Sequence, residues 1–346
     1  MSSFSSRKEY MLILDVYDIK KIIQKTGFKN FFLELTDMLE SDYKNWENFN
    51  KIPRVATHFQ YGVIELMPTS DEEFYSFKYV NGHPRNPKFD KTTVMATGQL
   101  SVIKTGEPLM ISEMTMLTAL RTGANSAMAG KYLARKNSHI LCLIGTGAQS
   151  EFQTLAFDTQ FDIKEIRYFD IDEKAMDKFE RNIKPYGFNL MRCTSAKEAV
   201  QGADIVTTIT ADKKNQTIIT KDMIEEGMFI NGVGGDCPGK TEMSKDVVEA
   251  SNVFVEYLPQ TKIEGEIQQV SDDFPTTELQ EVIKGLKVGR KNDSEITLFD
   301  SVGFAIEDFS VLKLIYKLAK QYNIGKELDL IPVMDDPKDL FVSFKD

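Results

Sequence analysis

Three groups of residues in this chain have types and spacings suited to chemistry. The first is the turn Gly145-x-Gly147-x-x-Ser150, which follows the apolar run Ile140-Leu141-Cys142-Leu143-Ile144. A buried strand that stops at glycines and opens into a helix aims free backbone N–H groups and the positive helix end at a phosphate. The glycine pattern alone is common, and Ser150 stands where a third glycine is usual. What gives it content is Asp170, which closes the next apolar run, Ile166-Arg167-Tyr168-Phe169, about twenty residues on. A carboxylate there accepts from a ribose 2′-hydroxyl and repels a 2′-phosphate, so the pair predicts a site for NAD rather than NADP.

The second group is Asn231-Gly232-Val233-Gly234-Gly235-Asp236-Cys237-Pro238-Gly239-Lys240, glycine-rich and placed after an apolar run. Glycine lets backbone approach a ligand closely. Asp236 at a strand's carboxyl end is placed for a general base, or else it simply holds a tight turn. Asp300-Ser301-Val302-Gly303 repeats the arrangement later and reads as a turn or cofactor contact. The third group is cationic: Arg54, Lys78 and Arg121 each lie in or beside an apolar context. A buried charge needs a counter-charge, here either a ligand carboxylate or a protein partner such as Glu65. His58 and His83 lack the spacing of metal ligands, so no metal site is predicted.

These groups need elements to position them. At 346 residues the chain has room for about two domains. A formal net charge of −10 argues against a nucleic-acid or anionic-membrane surface. Cys142, Cys193 and Cys237 are odd in number and widely spaced, which fits a reducing, cytoplasmic compartment. After the polar Met1–Lys8 stretch, the apolar run near Tyr10–Val16 is too short for a membrane helix, and no cleavage site follows it. The first fifty residues read as a strand and then helices, over Asp15–Gly27 and Phe31–Tyr43.

From Arg54 to Val80 the period falls to two, predicting antiparallel strands with one apolar face. Pro68 is expected to stop one of them, and Lys78 to point away from Tyr75, Phe77 and Tyr79. Further strands are expected over Thr92–Ile103 and Pro108–Ile111. A long helix then starts near Ser112, with small residues dense from Gly123 to Gly130, so something packs close there. Residues 131–138 read as a hinge.

From His139 strands and helices alternate. Seven candidate strands, the last being Ile296–Phe299, predict a Rossmann-type doubly wound parallel sheet over 131–311, with its ligand at the strands' carboxyl ends. Residues 1–130 form a separate α+β domain, and a helix from Glu307 carries the tail, about 312–346, back onto it.

The longer motifs resemble the ornithine cyclodeaminase/mu-crystallin family. They are Arg54-Val-Ala-Thr-His58, Gly62-Val-Ile-Glu65-Leu-Met-Pro68, Phe77-Lys78-Tyr79-Val80-Asn81-Gly82-His83-Pro84, Ala119-Leu-Arg121-Thr, Gly145-Thr-Gly-Ala-Gln-Ser-Glu-Phe152, Gly234-Gly-Asp236-Cys-Pro-Gly-Lys-Thr241 and Ile263-Glu-Gly-Glu-Ile-Gln268. The resemblance runs from about residue 50 to Asp335-Asp336-Pro337-Lys338-Asp339-Leu340-Phe341. It implies a lyase of amino-acid metabolism, linking ornithine and arginine breakdown to proline, that turns L-ornithine into L-proline and ammonia with tightly held NAD and no net redox change. It also implies a homodimer joined through the substrate-binding domain.

By the same resemblance, Asp236 is catalytic, and Arg54, Glu65, Lys78, Arg121 and Asp236 contact substrate. Thr93, Arg121, Gly145, Gly147, Ala148, Gln149, Asp170, Thr210, Asn231, Gly232, Val233, Lys240 and Ser301 fall on the cofactor side. The residue types suit this chemistry. A hydride leaves Cα only once the α-ammonium has lost a proton, and a carboxylate in a dry pocket, assigned as Asp236, accepts it. The proton on the δ-ammonium goes to Glu65, Asp236 or a water. The other readings are an amino-acid dehydrogenase or imine reductase on the same scaffold, and a crystallin-like protein that keeps the cofactor without turnover.

Overall fold

The computed structural model describes residues 10–211 and 217–345, so the leading Met1–Lys8 stretch lies outside the described residues. The first half runs β1 (Met11–Leu14), α1 (Val16–Thr26), α2 (Phe28–Lys44), β2 (Asn50–Lys51), β3 (Val55–Phe59), β4 (Gly62–Ser70), β5 (Phe74–Gly82), β6 (Val94–Val102), β7 (Pro108–Glu113) and α3 (Thr115–Leu133). The second half runs β8 (Ile140–Ile144), α4 (Ser150–Gln160), β9 (Glu165–Phe169), α5 (Glu173–Ile183), β10 (Asn189–Arg192), α6 (Ala196–Val200), β11 (Ile205–Thr208), β12 (Phe229–Gly232), α7 (Lys245–Ala250), β13 (Asn252–Val255), α8 (Leu258–Glu264), β14 (Thr276–Glu278), α9 (Leu279–Ile283) and β15 (Thr297–Asp300). Then α10 (Ala305–Tyr322) and β16 (Lys326–Leu328) bring the chain back.

The second half forms a parallel sheet in the order β10-β9-β8-β11-β12-β15-β13-β14. This is the Rossmann-type doubly wound arrangement the strand–helix alternation predicts. The order reverses between β8 and β11, so the crevice for a ligand opens where the Gly145 turn meets the exit of β11. Gly145 has φ +101, and a Cβ on it would lie 2.9 Å from the Ile209 carbonyl oxygen. Only glycine fits there. The sheet has one strand more than the seven expected. β14 is Thr-Thr-Glu at an edge, with no apolar run to mark it.

The other sheet runs β16-β1-β7-β6-β5-β4-β2, with β3 also on β4. Its strands pair antiparallel except β1 with β7. Two expectations need correction here. Pro68 does not end its strand, because β4 continues to Ser70. Pro68 falls in the gap between the stretch of β4 paired to β3 and the stretch paired to β2, where a missing N–H breaks no ladder on that side. The long helix begins at Thr115, not Ser112, since β7 runs to Glu113, whose carboxylate accepts from the Thr115 and Met116 N–H groups.

The aromatic side of β5 is also not the buried side. Tyr75 and Tyr79 are exposed, whereas Ser76, Lys78 and Val80 face inward and are buried. Lys78 does point away from the aromatics, and that direction is into the protein. Its register neighbours are Met67 on β4 and Gly98 on β6. α10 packs over β4, β5 and β6, and also against α1, α2 and α3.

α3 packs closely on α4, and the small residues explain how. A Cβ on Gly123 would lie 2.8 Å from the Phe152 carbonyl oxygen, and one on Gly130 3.0 Å from the Phe157 ring. The neighbour of Gly123 is backbone and cannot turn aside. Gly123→Val is therefore expected to destabilise the fold by about 1–3 kcal/mol, read as a lower urea midpoint at an unchanged slope.

Candidate active site

Arg54, Lys78 and Arg121 approach the carboxyl ends of the parallel sheet from the first half, and each meets acids there. Lys78 is 1% exposed; its Nζ lies 2.9 and 2.8 Å from the two oxygens of Asp308 on α10. Burial lowers this ammonium to about 8, although Asp308 opposes the shift. Arg121 on α3 pairs through Nε with Asp308 at 3.0 Å and through Nη1 with Glu307. Burial works against its charge, but Asp308 and Glu307 outweigh that and hold the guanidinium above its ordinary value.

Glu307 shares the Asn125 amide with Glu256, which follows β13, at 3.0 Å to each carboxylate. Glu256 in turn accepts from Ser301 Oγ at 2.6 Å and from the Val302 and Gly303 N–H groups at 2.9 and 3.0 Å. Burial raises both carboxyls, and for Glu307 the adjacent Glu256 raises it further.

Arg54 is clasped from both halves. Its Nη1 donates to both oxygens of Glu65, at 3.4 and 3.2 Å, and its Nη2 to the carbonyls of Val302 and Gly303. Nε lies 3.0 Å from Glu264 Oε2, the last residue of α8, but without hydrogen-bond alignment. The protein-partner alternative for Arg54, with Glu65, is thus present in the structure. Asp236 and Lys240 complete the cluster: Lys240 Nζ donates to the Thr210 carbonyl at 2.8 Å and stands 3.5 Å from Asp236. Asp236 contributes to the field at both Arg54 and Glu264. It is half exposed, which corrects the expectation of a dry pocket around it. The dry carboxylates are Glu65 and Glu264.

The glycines around Asp236 also have a different cause from the one expected. A Cβ on Gly234 would lie 2.0 Å from Glu242 Oε2, and one on Gly235 2.7 Å from Glu266 Oε1. They make room for the protein's own buried acids. These acids form a ladder. Asp300 accepts from the Glu266 and Ile267 N–H groups, both at 2.9 Å. Glu266 accepts from Glu242 at 2.7 Å and Met243 at 3.1 Å, and Glu242 accepts from the Thr210 N–H at 2.9 Å. Gln268 staples the end of α8 to the Asp236 loop, donating to the Gly265 and Lys240 carbonyls and accepting from the Gly239 N–H.

On the dinucleotide side, Asp170 accepts from the Thr146 N–H at 2.6 Å and from the Asp172 N–H at 2.9 Å, so it faces the glycine turn. Gly147 and Ala148 are exposed at the start of α4. Buried Gln149 Oε1, Thr208 Oγ1 and Asn231 Oδ1 have no hydrogen-bond partner among the described residues. Together with the Gly145 close approach, these orphaned atoms fit a polar group held at the strand ends. Gly232 accepts from the Ser301 N–H, and the Val233 N–H donates to Thr208, which ties β12 into the same rim. Thr93, just before β6, accepts from the His83 N–H.

A cavity of about 570 Å³ borders Thr146, Gly147 and Ala148, but it runs outward between α4 and α5. None of Arg54, Lys78, Arg121 or Asp236 lines it. Among the described residues no group of three or more His, Cys, Asp or Glu side chains is arranged to hold a metal.

Reading the residue types missed Glu256, Glu264, Glu307 and Asp308. Glu307 and Asp308 look like ordinary acids in the first turn of a helix, and Glu256 like a strand end. Glu264 sits inside the Ile263–Gln268 motif, which was the one available signal.

Comparison with known proteins gives these residues a setting. The profile of the ornithine cyclodeaminase/mu-crystallin family matches residues 18–323. An ornithine cyclodeaminase of Agrobacterium fabrum is 54% identical over 328 residues, which is 95% of this chain and 93% of that protein. A solved lysine cyclodeaminase, studied for recognition of L-lysine, L-ornithine and L-2,4-diaminobutyric acid, superposes with a TM-score of 0.91 at 27% identity, covering 96% of this chain and 99% of the other. An archaeal alanine dehydrogenase dimer with bound NAD superposes at 0.85 with 34% identity, covering 93% and 99%.

The acid ladder predicts a pH effect on stability. Burial lifts Asp300 to about 7; burial and then the Asp300 charge lift Glu266 to about 8. Both ordinarily titrate near 4, so the folded chain binds more protons than the unfolded one in between. Their contribution to stability is complete below about pH 4 and is lost as the pH rises through 7 to 8. Thermal melts are expected to show a falling midpoint between about pH 5 and 8, and Glu266→Gln to flatten that slope.

Proposed function

The chain belongs to the ornithine cyclodeaminase/mu-crystallin family, and we propose that it converts L-ornithine to L-proline and ammonia using NAD catalytically. The observation that carries this reading is that Arg54, with Glu65, Glu264 and Asp236 around it, stands in the same electrostatic cluster as Arg121 and Lys78, which Glu307 and Asp308 hold. With Asp308, Glu307 and Glu256 included, six carboxyl groups meet the four cations Arg54, Lys78, Arg121 and Lys240, an excess that suits a substrate with two ammonium groups and one carboxylate. In this reading residues 1–130 with about 312–346 bind substrate, and residues 131–311 hold NAD.

When bound, NAD supplies a hydride acceptor at Cα that gives the hydride back at the end, so no net redox change occurs. The turn residues Gly145 and Gly147 with Ala148 and Gln149 would hold its phosphates at the start of α4, and Asp170 would accept from its ribose hydroxyls. Thr93, Arg121, Thr210, Asn231, Gly232, Val233, Lys240 and Ser301 line the rest of that side. Lys78, Arg121 and Arg54 orient the substrate carboxylate. Asp236 accepts the α-ammonium proton, with the Lys240 ammonium 3.5 Å away. Its exposure gives that proton a way out to water. Ring closure then follows by proximity, because the distal nitrogen and C2 belong to one molecule.

The same scaffold serves an alanine dehydrogenase, so a net oxidoreductase is the competing reading, and a cofactor-binding protein without turnover is the next. With L-ornithine and NAD, proline and ammonia are expected in equal amounts with no stoichiometric rise in bulk absorbance at 340 nm. Accumulating NADH, or no ammonia at all, would overturn the proposal. Asp236→Asn is expected to lower kcat by roughly 10²–10⁴-fold while NAD still binds.

The homodimer is proposed from the outer face of the antiparallel sheet. Val55, Phe59, Leu66, Tyr75, Tyr79 and Met95 are exposed there on β3 to β6, a patch of the kind that marks an interface. Leu66→Asp with Tyr79→Asp is expected to move the mass measured by light scattering from two chains to one. No helix among the described residues is long and apolar enough to cross a membrane. Cys142, Cys193 and Cys237 are buried and form no disulfide, which supports a cytoplasmic setting.

A further inference from the structure

Ring closure needs a second proton acceptor. The distal nitrogen arrives as an ammonium and has no lone pair until it loses a proton. Glu65 is poorly placed for this, since both of its oxygens already accept from Arg54 Nη1. Asp236 is half exposed, paired to Lys240, and committed to the α-ammonium. Glu264 differs from both. Its side chain is 7% exposed, and its Oε2 is buried and accepts no hydrogen bond from the described residues. Its ion-pair partner among the described residues is Arg54 Nε, out of alignment. A buried carboxylate with an unused acceptor, set at the end of α8 and stapled by Gln268 to the Asp236 loop, is suited to meet a cation that enters the cleft.

We propose that Glu264 is a further catalytic residue, the carboxylate that takes the proton from the substrate's distal ammonium and so frees the amine that closes the ring. The inference rests on the ornithine reading above. One distal N–H bond breaks, and the proton bonds to a Glu264 oxygen. The freed lone pair forms the bond to C2 of the α-iminium, and the C=N π pair withdraws onto the α-nitrogen. A proton passes from the ring nitrogen to the α-nitrogen, which leaves as ammonia. Glu264 gives its proton to that ammonia and is ionised again. Burial, with the charges of Glu65 and Asp236 nearby, raises Glu264 to about 7 although Arg54 opposes it. A group there both accepts and returns a proton near neutrality.

The test is Glu264→Gln in the full NAD-loaded chain. In a single turnover with L-ornithine, the rise at 340 nm from hydride removal is expected to stay within about threefold of the unsubstituted protein. Proline and ammonia are expected to fall by about 10²-fold or more. L-Norvaline, which lacks a distal amine, is expected to give the same rise with both proteins. The acid limb of kcat for ornithine, near pH 7, is expected to vanish. Undiminished proline formation by Glu264→Gln would overturn the role of Glu264 alone. A parallel loss of the 340 nm rise would also overturn it, since Glu264 would then be positioning Arg54. An unsubstituted protein that makes no ammonia would remove the ornithine reading and this proposal with it. Should the amide variant fail to fold, Glu264→Asp is expected to keep an acid limb at a shifted pH, and an unshifted limb would count against the role.

Discussion

The structure depends on satisfying buried cations from one half of the chain with buried acids from the other. Lys78 stands on the inner face of the antiparallel sheet and Arg121 in α3, yet both pair with Asp308 at the start of α10, and Arg121 with Glu307 beside it. Arg54 precedes β3, yet it is held by Glu264 and the 302–303 carbonyls beside the parallel sheet. Buried pairs of this kind add little net stability, because desolvation consumes most of the attraction. Leaving any one of them unmatched is costly. Their effect is therefore on arrangement: a relative placement of the halves that separates Arg54 from Glu264 strands a charge on each side. These pairs act together with the apolar core that α2, α3 and α4 share across the two halves.

Much of the fold was legible because it follows from period and punctuation. The strand-helix alternation after His139, the glycine stop at Gly145 and the small residues of α3 all carry local information. β14 was not legible, since Thr276–Glu278 has no apolar pattern and takes its place from its neighbour β13. The continuation of β4 through Pro68 depends on where β2 and β3 pair, which no local rule contains. The burial of β5 reads opposite to hydropathy. Its tyrosines are left outside because the inner face is reserved for Lys78, and a lysine there makes sense only with Asp308, which lies 230 residues away.

The candidate site was legible in its cations and in Asp236, whose neighbours in sequence are unusual. Its acids were hidden, because each does an ordinary local job as well. Glu307 caps α10 by accepting from the Phe304 N–H while it receives Arg121 and Asn125. The glycines at 234 and 235 show the converse. They look like a cradle for a ligand and are in fact spaces for Glu242 and Glu266. The loop bearing Asp236 is thus braced by carboxylates from below, which leaves that residue free to face solvent. The cluster around Arg54 thus holds one half-exposed acid, Asp236, and one buried acid, Glu264.

The pairing of β16 with β1 joins residues more than three hundred positions apart, Met11 with Leu328. The parallel sheet, in contrast, is built from one uninterrupted stretch, Ile140 to Asp300. On a ribosome the latter can assemble as soon as it emerges, since all of its neighbours in space are already synthesised. The antiparallel layer has to wait. Until α10 is released, Lys78 and Arg121 have no counter-charge, and the inner face of β4 to β6 stays uncovered. In translation order the antiparallel layer is thus completed last, when α10 and β16 bring the chain back onto it.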